Sequence, residues 1–247
     1  MIELGLVASL LAATYVGWVP WQISVGLGLV GYWLPKSLVI TSLNVLYPEI
    51  ITNINLPILG NNIALTFDDS PYGSEEAILN LLNEWNQKAT FFIISDNVTS
   101  TNRETLIKMV KSGHQLGNHG KTNSMHALKS CNVLTHEIME CDNLIKSIYS
   151  EANVNLPKKM VYRPGCGVFT KTMIQVATKL GYTIALGSVY PNDPIVRSGL
   201  INYFYIKYHL EKNDVIILHD RYWTIPMLQR LLPLLKERSI KSVPLSD

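Results

Sequence analysis

The stretch IALTFDDSP, residues 63–71, runs a short apolar segment into two adjacent carboxylates and a turn. Four to eight apolar, β-prone residues bounded by a turn signal read as a strand. No Gly-rich phosphate loop follows it, which argues against a dinucleotide-binding fold. Asp-Asp-Ser-Pro is good turn chemistry in its own right. Two neighbouring carboxylates also repel each other unless a cation relieves them. The end of this strand therefore reads either as a plain turn or as the edge of a reactive site, and the rest of the chain has to decide between them.

Working outward, similar runs recur: ATFFII (89–94), HQLGN (114–118), MVY (160–162), YTIALGS (182–188), DVIIL (214–218) and KSVPL (241–245). Between them lie helical patterns. SEEAILNLLNEW has Ser74 in the N-cap position and an acidic first turn. The others are RETLIKMVKSG, THEIMECDNLIKSIY, TKTMIQVATKLG and TIPMLQRLLPLLKER. Strand and helix alternate with short connections, which predicts an α/β fold of parallel strands covered by helices, as a barrel or a doubly wound sheet. We expect one domain over residues 63–247, preceded by a connector over 41–62 that ends in a Leu-Gly-Asn-Asn turn signal.

The first 40 residues differ in kind. Between Glu3 and Lys36 there are 32 residues without a charge, interrupted by Pro20 between Trp18 and Trp21. A membrane span needs about 20 apolar residues. We therefore expect residues 5–35 to lie in a membrane as one span or a short hairpin, with the tryptophans at its interface. The start is acidic and the run long, unlike a cleaved signal peptide. Beyond residue 50 the chain carries 20 basic and 17 acidic side chains, no basic patch of the kind nucleic acid requires. Three cysteines, Cys131, Cys141 and Cys166, are too few for a disulfide framework, although Cys131 and Cys141 are candidates to pair. Asn97-Val98-Thr99 is a glycosylation triplet, a pattern that is common by chance.

In parallel α/β folds reactive side chains gather beyond the carboxyl ends of the strands. Here those positions hold Asp68-Asp69, His119, Arg163, Asp193 and His219-Asp220. An aspartate and a histidine brought together make a metal set with open positions for water. His219, following a strongly apolar run, is a candidate general acid because imidazole titrates near neutral pH.

These segments carry a resemblance. TFDDSP, GNHGKTN, RPGCG, YPNDP and IILHDR occur in the order and spacing of the five motifs of the polysaccharide deacetylases, the NodB-type enzymes of carbohydrate esterase family 4 that include chitin deacetylases. The resemblance implies a distorted (β/α) barrel of about seven strands. By position it implies Asp68 as general base, Asp69 and His119 as metal ligands, and Arg163 as the residue orienting the base. Asp193 would tune the catalytic His219, Cys166 would offer a backbone N–H to the oxyanion, and Ile217 would line the acetyl pocket. Departures are Ser70 for the commoner glycine, Gly165 for a proline, Cys166 for a tyrosine, and Pro194 for an aromatic.

The second motif departs most. The family's second histidine ligand falls at Asn123, a neutral amide, and the nearest alternative is His126, seven residues after His119. A helical turn would bring His126 onto the face of His119. The ungapped alignment favours Asn123. The resemblance thus implies a weakened site for a divalent metal, zinc by ligand type, with cobalt, nickel and manganese also compatible. It implies a membrane-anchored deacetylase, its catalytic domain monomeric and extracytoplasmic or lumenal, acting on N-acetylated, chitin-like glycan. The alternatives are a silent member that binds glycan or a partner, and a metal hydrolase for another amide or ester. Tyr190, Tyr222 and Trp223 are candidates to stack on sugar rings or to pack in the core.

Overall fold

The computed structural model describes residues 36–54 and 61–246. The chain divides into two compact units that meet between Pro48 and Glu49. The described part of the first is a helix, α1 (Lys36–Leu46). Among the described residues no helix is long and apolar enough to cross a membrane. The segment 5–35, where a membrane span is expected, lies outside the described residues.

The second unit holds seven strands: β1 (Asn62–Ser70), β2 (Ala89–Ile93), β3 (Gln115–Asn118), β4 (Met160–Tyr162), β5 (Tyr182–Ile184), β6 (Val215–His219) and β7 (Lys241–Ser242). All pair in parallel, in the order β5-β4-β3-β2-β1-β6, with β7 beside the start of β1. The chain after β5 closes the ring, since the Ile217 N–H donates to the Val189 carbonyl and the Ser188 N–H to that of Val215. Lower down, Ile51 pairs with Ala185 and Asn53 with Asp214. The connector expected over 41–62 is therefore divided: its start belongs to α1, and Ile51 and Asn53 are taken into the barrel wall, where their backbone groups find partners.

The helices between the strands are α2 (Glu75–Glu84), α3 (Arg103–Lys111), α4 (Cys131–Ala152), α5 (Lys171–Lys179), α6 (Gly199–His209) and α7 (Thr224–Glu237). Side-chain caps begin three of them: Ser130 accepts from the Val133 N–H, Thr170 from Met173 and Ser198 from Ile201. Ser74 precedes α2 but makes no side-chain cap, its backbone standing at φ −115° and ψ 0° rather than in the extended conformation of a capping residue, and its N–H donates to Asp220. Helix α6, GLINYFYIKYH, has no counterpart in the sequence-based expectation. Its aromatic and β-branched content resembles a strand, and Leu200, Ile201 and Phe204 are exposed. Cys131 and Cys141 lie ten residues apart on α4, about 15 Å along the axis, so they cannot pair.

Strands buried on both faces direct alternate residues to the barrel interior and to the helical shell. Ala64, Phe92, Val161, Ala185 and Val215 pack inside with Ile54 and Leu245. Gly117 of β3 is obligatory here, since a Cβ would fall 2.8 Å from the Phe92 ring. Two residues further along each strand the same inward positions are Thr66 and Ile217, then Asp68, His119, Arg163 and His219 at the carboxyl end. The alternation that builds the core therefore also delivers the polar set to one mouth.

Candidate active site

Asp68 and His219 stand side by side in register on neighbouring strands. Each is held by its own buried partner. Arg163, 1% exposed, donates from Nη1 to Asp68 Oδ1 at 2.6 Å and to Thr66 Oγ1 at 2.7 Å. Its other nitrogens reach the carbonyls of Ala185 and Leu186, and its guanidinium lies over the Phe92 ring at 4.0 Å. A buried cation so fully bonded is fixed in place, and it fixes the carboxylate it pairs with. On the other side Asp193 clamps His219 twice, accepting from its backbone N–H and from Nδ1–H, both at 2.9 Å. With Nδ1 occupied, Nε2 is the nitrogen left to the site. Burial works against the imidazolium, but the charge and hydrogen bond of Asp193, with Asp68 and Asp69 adding to them, raise its pKa above the ordinary histidine value.

Asp69 continues β1 out of alternation. Its φ is 61°, a left-handed conformation that Asp tolerates better than most residues, and the β1–β2 register shifts between Phe67 and Ser70. Its carbonyl accepts from the Asn97 side chain at 3.1 Å. Asn97, the candidate glycan acceptor, is thereby committed to the base of the site. The turn places Asp69 Oδ1 3.5 Å from His119 Nε2. His119 Nδ1–H donates to the Arg163 carbonyl at 2.7 Å, so in the neutral ring Nε2 carries the lone pair. In that tautomer two acceptors face one another, an arrangement satisfied either by a bound cation or by a proton on Nε2, which burial opposes but the Asp68 and Asp69 carboxylates favour by raising the His119 pKa. Asn123 completes the group, with Nδ2 3.0 Å from Asp69 Oδ2, and turning the amide over would present its oxygen instead. Asp69, His119 and Asn123 therefore fit a divalent ion, with one formal negative charge among three donors. Among the described residues no group of three His, Cys, Asp or Glu side chains gathers to hold a metal. Burial raises the Asp69 carboxyl, but the hydrogen bond and charge of His119, with His219 and Arg221, hold it well below the usual carboxylate range.

His126 does not join this group. The chain from His119 to Met125 is irregular rather than helical, so the spacing of seven does not place both rings on one face. His126 Nδ1 takes the Tyr162 hydroxyl at 2.6 Å and the Gly165 N–H at 3.1 Å, while Nε2 faces the Thr122 carbonyl at 3.3 Å. Its ring lies 2.7 Å from where a Cβ on Gly120 would stand, and Gly120 has φ 78°. Burial, followed by the charge of His119, lowers its pKa to about 4, so it is a neutral strut tying the second-motif loop to the third.

Cys166 is exposed at the tip of the third-motif loop with φ 58°. Ile217 is 4% exposed, two residues before His219 on the same face of β6. Tyr190 lies 6.0 Å from the His219 ring, and burial, followed by the charge of Asp193, raises its phenol. Trp223 is buried, whereas Tyr222 is exposed. Two residues with no role in the sequence-based expectation are central. Asp220, fully buried, accepts from the Ser70 hydroxyl and from the N–H groups of Tyr72 and Ser74, pinning the loop after β1. Burial, opposed by those donors and reinforced by Glu75, raises its pKa to about 7. Arg221 Nη2 donates to Asp69 Oδ2 at 2.6 Å. Both stand in IILHDR directly after His219; Asp220 was legible as a strand-end carboxylate without a role, and for Arg221 that adjacency was the only signal.

A parallel barrel whose mouth holds a carboxylate–guanidinium pair, a carboxylate–imidazole pair and an Asp/His donor group is built for hydrolytic acid–base chemistry. Residues 59–185 match the family described as polysaccharide deacetylase. The chain is 31% identical over 195 residues to a peptidoglycan-N-acetylglucosamine deacetylase of Bacillus cereus, covering 75% of this chain and 86% of that protein. It is 26% identical over 207 residues to a chitooligosaccharide deacetylase of Bradyrhizobium, covering 74% and 89%. A family 4 carbohydrate esterase from Streptomyces lividans, solved with acetate, superposes with a TM-score of 0.66 at 25% identity, covering 75% of this chain and 93% of that one. The chain belongs to the polysaccharide deacetylase family, the NodB-type proteins of carbohydrate esterase family 4.

Proposed function

We propose that this chain hydrolyses the acetamide of N-acetylglucosamine units in a chitin-like or related glycan, releasing acetate and leaving a free amine. The observation that carries this reading is the adjacency of Asp68 and His219, each fixed by a buried partner of opposite charge. Asp68 takes a proton from the attacking water. His219 Nε2 gives one to the departing nitrogen, without which the C–N bond would not break. The C–N bond breaks as the water's hydroxyl joins the acetyl carbon to give acetic acid, which ionises to acetate, and the proton taken by Asp68 restores the one His219 gives to the amine, so the reaction balances without a further reactant. Arg163 keeps Asp68 aimed, and Asp193 keeps His219 protonated on Nδ1. Ile217 offers an apolar wall to the acetyl methyl group, and the Cys166 backbone N–H is the proposed oxyanion donor. Asp69, His119 and Asn123 would hold a divalent ion, zinc by donor type, which when bound polarises the acetamide carbonyl and offsets oxyanion charge. The name of the bacillary relative specifies N-acetylglucosamine, which supports that sugar.

A second reading is a glycan-binding member with little catalysis, favoured by the neutral Asn123 ligand and by Arg221 seated on Asp69. Acetate release from N-acetylglucosamine oligomers, with Asp68→Asn alongside, separates the two. The first requires acetate that disappears in the variant; binding of oligomer without acetate leaves the second. We further propose that residues 5–35 hold the protein on a membrane with the catalytic unit extracytoplasmic or lumenal, supported by their 32-residue uncharged setting. Release of the full chain by alkaline carbonate would refute this anchoring.

A further inference from the structure

We propose that Arg221 is a built-in competitor for the metal position: its guanidinium and a divalent ion compete for the charge of the Asp69 carboxylate. Metal affinity is then set by the Arg221–Asp69 pair as much as by the ligands. The inference rests on Asp69, His119 and Asn123 being the ligand set.

Arg221 is not a loose surface arginine. Its side chain is 11% exposed, and Nη2 reaches Asp69 Oδ2 at 2.6 Å while Nη1 donates to the Asp220 carbonyl at 2.8 Å. The guanidinium lies over the Tyr72 ring at 3.6 Å. Both supports are tied down by one carboxylate, because Asp220 accepts from the Tyr72 and Ser74 N–H groups and from the Ser70 hydroxyl. The arginine is therefore held over the site by the same anchor that shapes the loop after β1.

Asp69 Oδ2 also accepts from Asn123 at 3.0 Å, so both of its lone-pair directions are filled by N–H donors. Coordination through this oxygen requires Arg221 to leave and the Asn123 amide to turn over, whereas an ion bound through Oδ1, which faces His119 Nε2 at 3.5 Å, meets a carboxylate whose charge Arg221 already balances. Because Asn123 is neutral, Asp69 is the one formal charge of the ligand set, and Arg221 already balances it. A dication entering beside the guanidinium meets like charge in a site with little water to screen it. Arginine suits the task, since its planar fork grips a carboxylate and stacks on a ring at once, which an ammonium does not.

Calorimetric titration of the full chain with zinc, and with cobalt followed by its visible absorption, tests this directly. Arg221→Gln is expected to bind metal at least tenfold more tightly than the unsubstituted protein, and adding Asp69→Asn to it is expected to abolish binding. Tyr72→Ala, at a 60% exposed position, removes the platform and keeps the charge, so it should raise affinity by a smaller factor. Arg221→Gln binding metal with unchanged or lower affinity would overturn the proposal. If that variant does not fold by circular dichroism, unchanged affinity in Tyr72→Ala overturns it instead. Tight metal binding by Arg221→Gln without acetate release counts against deacetylation alone and leaves the competition standing.

Discussion

Replacing Asp193 with asparagine is the most informative perturbation of the proposed acid. Asp193 offers two acceptors, one to the His219 backbone N–H and one to Nδ1–H, both at 2.9 Å. Asparagine keeps one acceptor and turns a donor toward the other, so the ring must move its proton to Nε2 or lose the contact. At 2.9 Å and an effective dielectric of about 20, the lost Coulomb attraction is about 6 kcal/mol before desolvation is counted. Breaking a buried pair costs about 3–5 kcal/mol net, and the retained hydrogen bond puts this variant near 3. For a unit of this size that lowers Tm by roughly 6–12 °C. The pH dependence has a definite sign. The folded pKa of His219 is raised, so the pair's stabilisation is full below the ordinary value of about 6.5 and is lost as pH rises through the folded value. Asp193→Asn should flatten that decline and move the alkaline limb of acetate release to lower pH, with activity falling by about a hundredfold or more above neutrality. Melting curves and pH–rate profiles over pH 5–10 measure both. An alkaline limb that stays in place would refute the assignment of His219 as the acid held charged by Asp193.

Three further outcomes are expected. His126→Ala should leave metal affinity unchanged and destabilise the fold by about 2–4 kcal/mol, because the Tyr162 hydroxyl and the Gly165 N–H lose their acceptor. Asn123→Ala should weaken metal binding with little effect on stability, and calorimetry with thermal melts distinguishes the two. Thiol titration of the native protein should count the exposed Cys131 and Cys166 promptly, and Cys141 only after unfolding, since burial pushes its thiol up to about 12.

The runs of β1, β2 and β6 were legible because each is short, apolar and buried, whereas β3 (QLGN) and β7 (KS, with Lys241 exposed) show as strands only through their place in the alternation. The helix α6 was not, since its aromatic and β-branched residues carry a strand-like pattern and its place depends on the Ser198 cap and on packing against α7. In the site, Asp68, His119, Arg163 and His219 were readable as strand-end residues, where backbone geometry alone sets the direction of the side chain. Asp69 was readable as chemistry but not as geometry, because its left-handed turn and the Asn97 brace lie off the strand pattern.

By itself, then, the order of apolar runs and the five motifs between them determined the parallel α/β fold, the family and which strand-end residues meet at one mouth. Strand periodicity is a local property that survives into the folded chain. Only the tertiary structure decided between Asn123 and His126, gave Asp220 its anchoring role, and set Arg221 on Asp69. Asn123, Asp220 and Arg221 lie in irregular loops and His126 opens a single short 3-10 turn, where direction comes from contacts with residues 36 to 152 positions away.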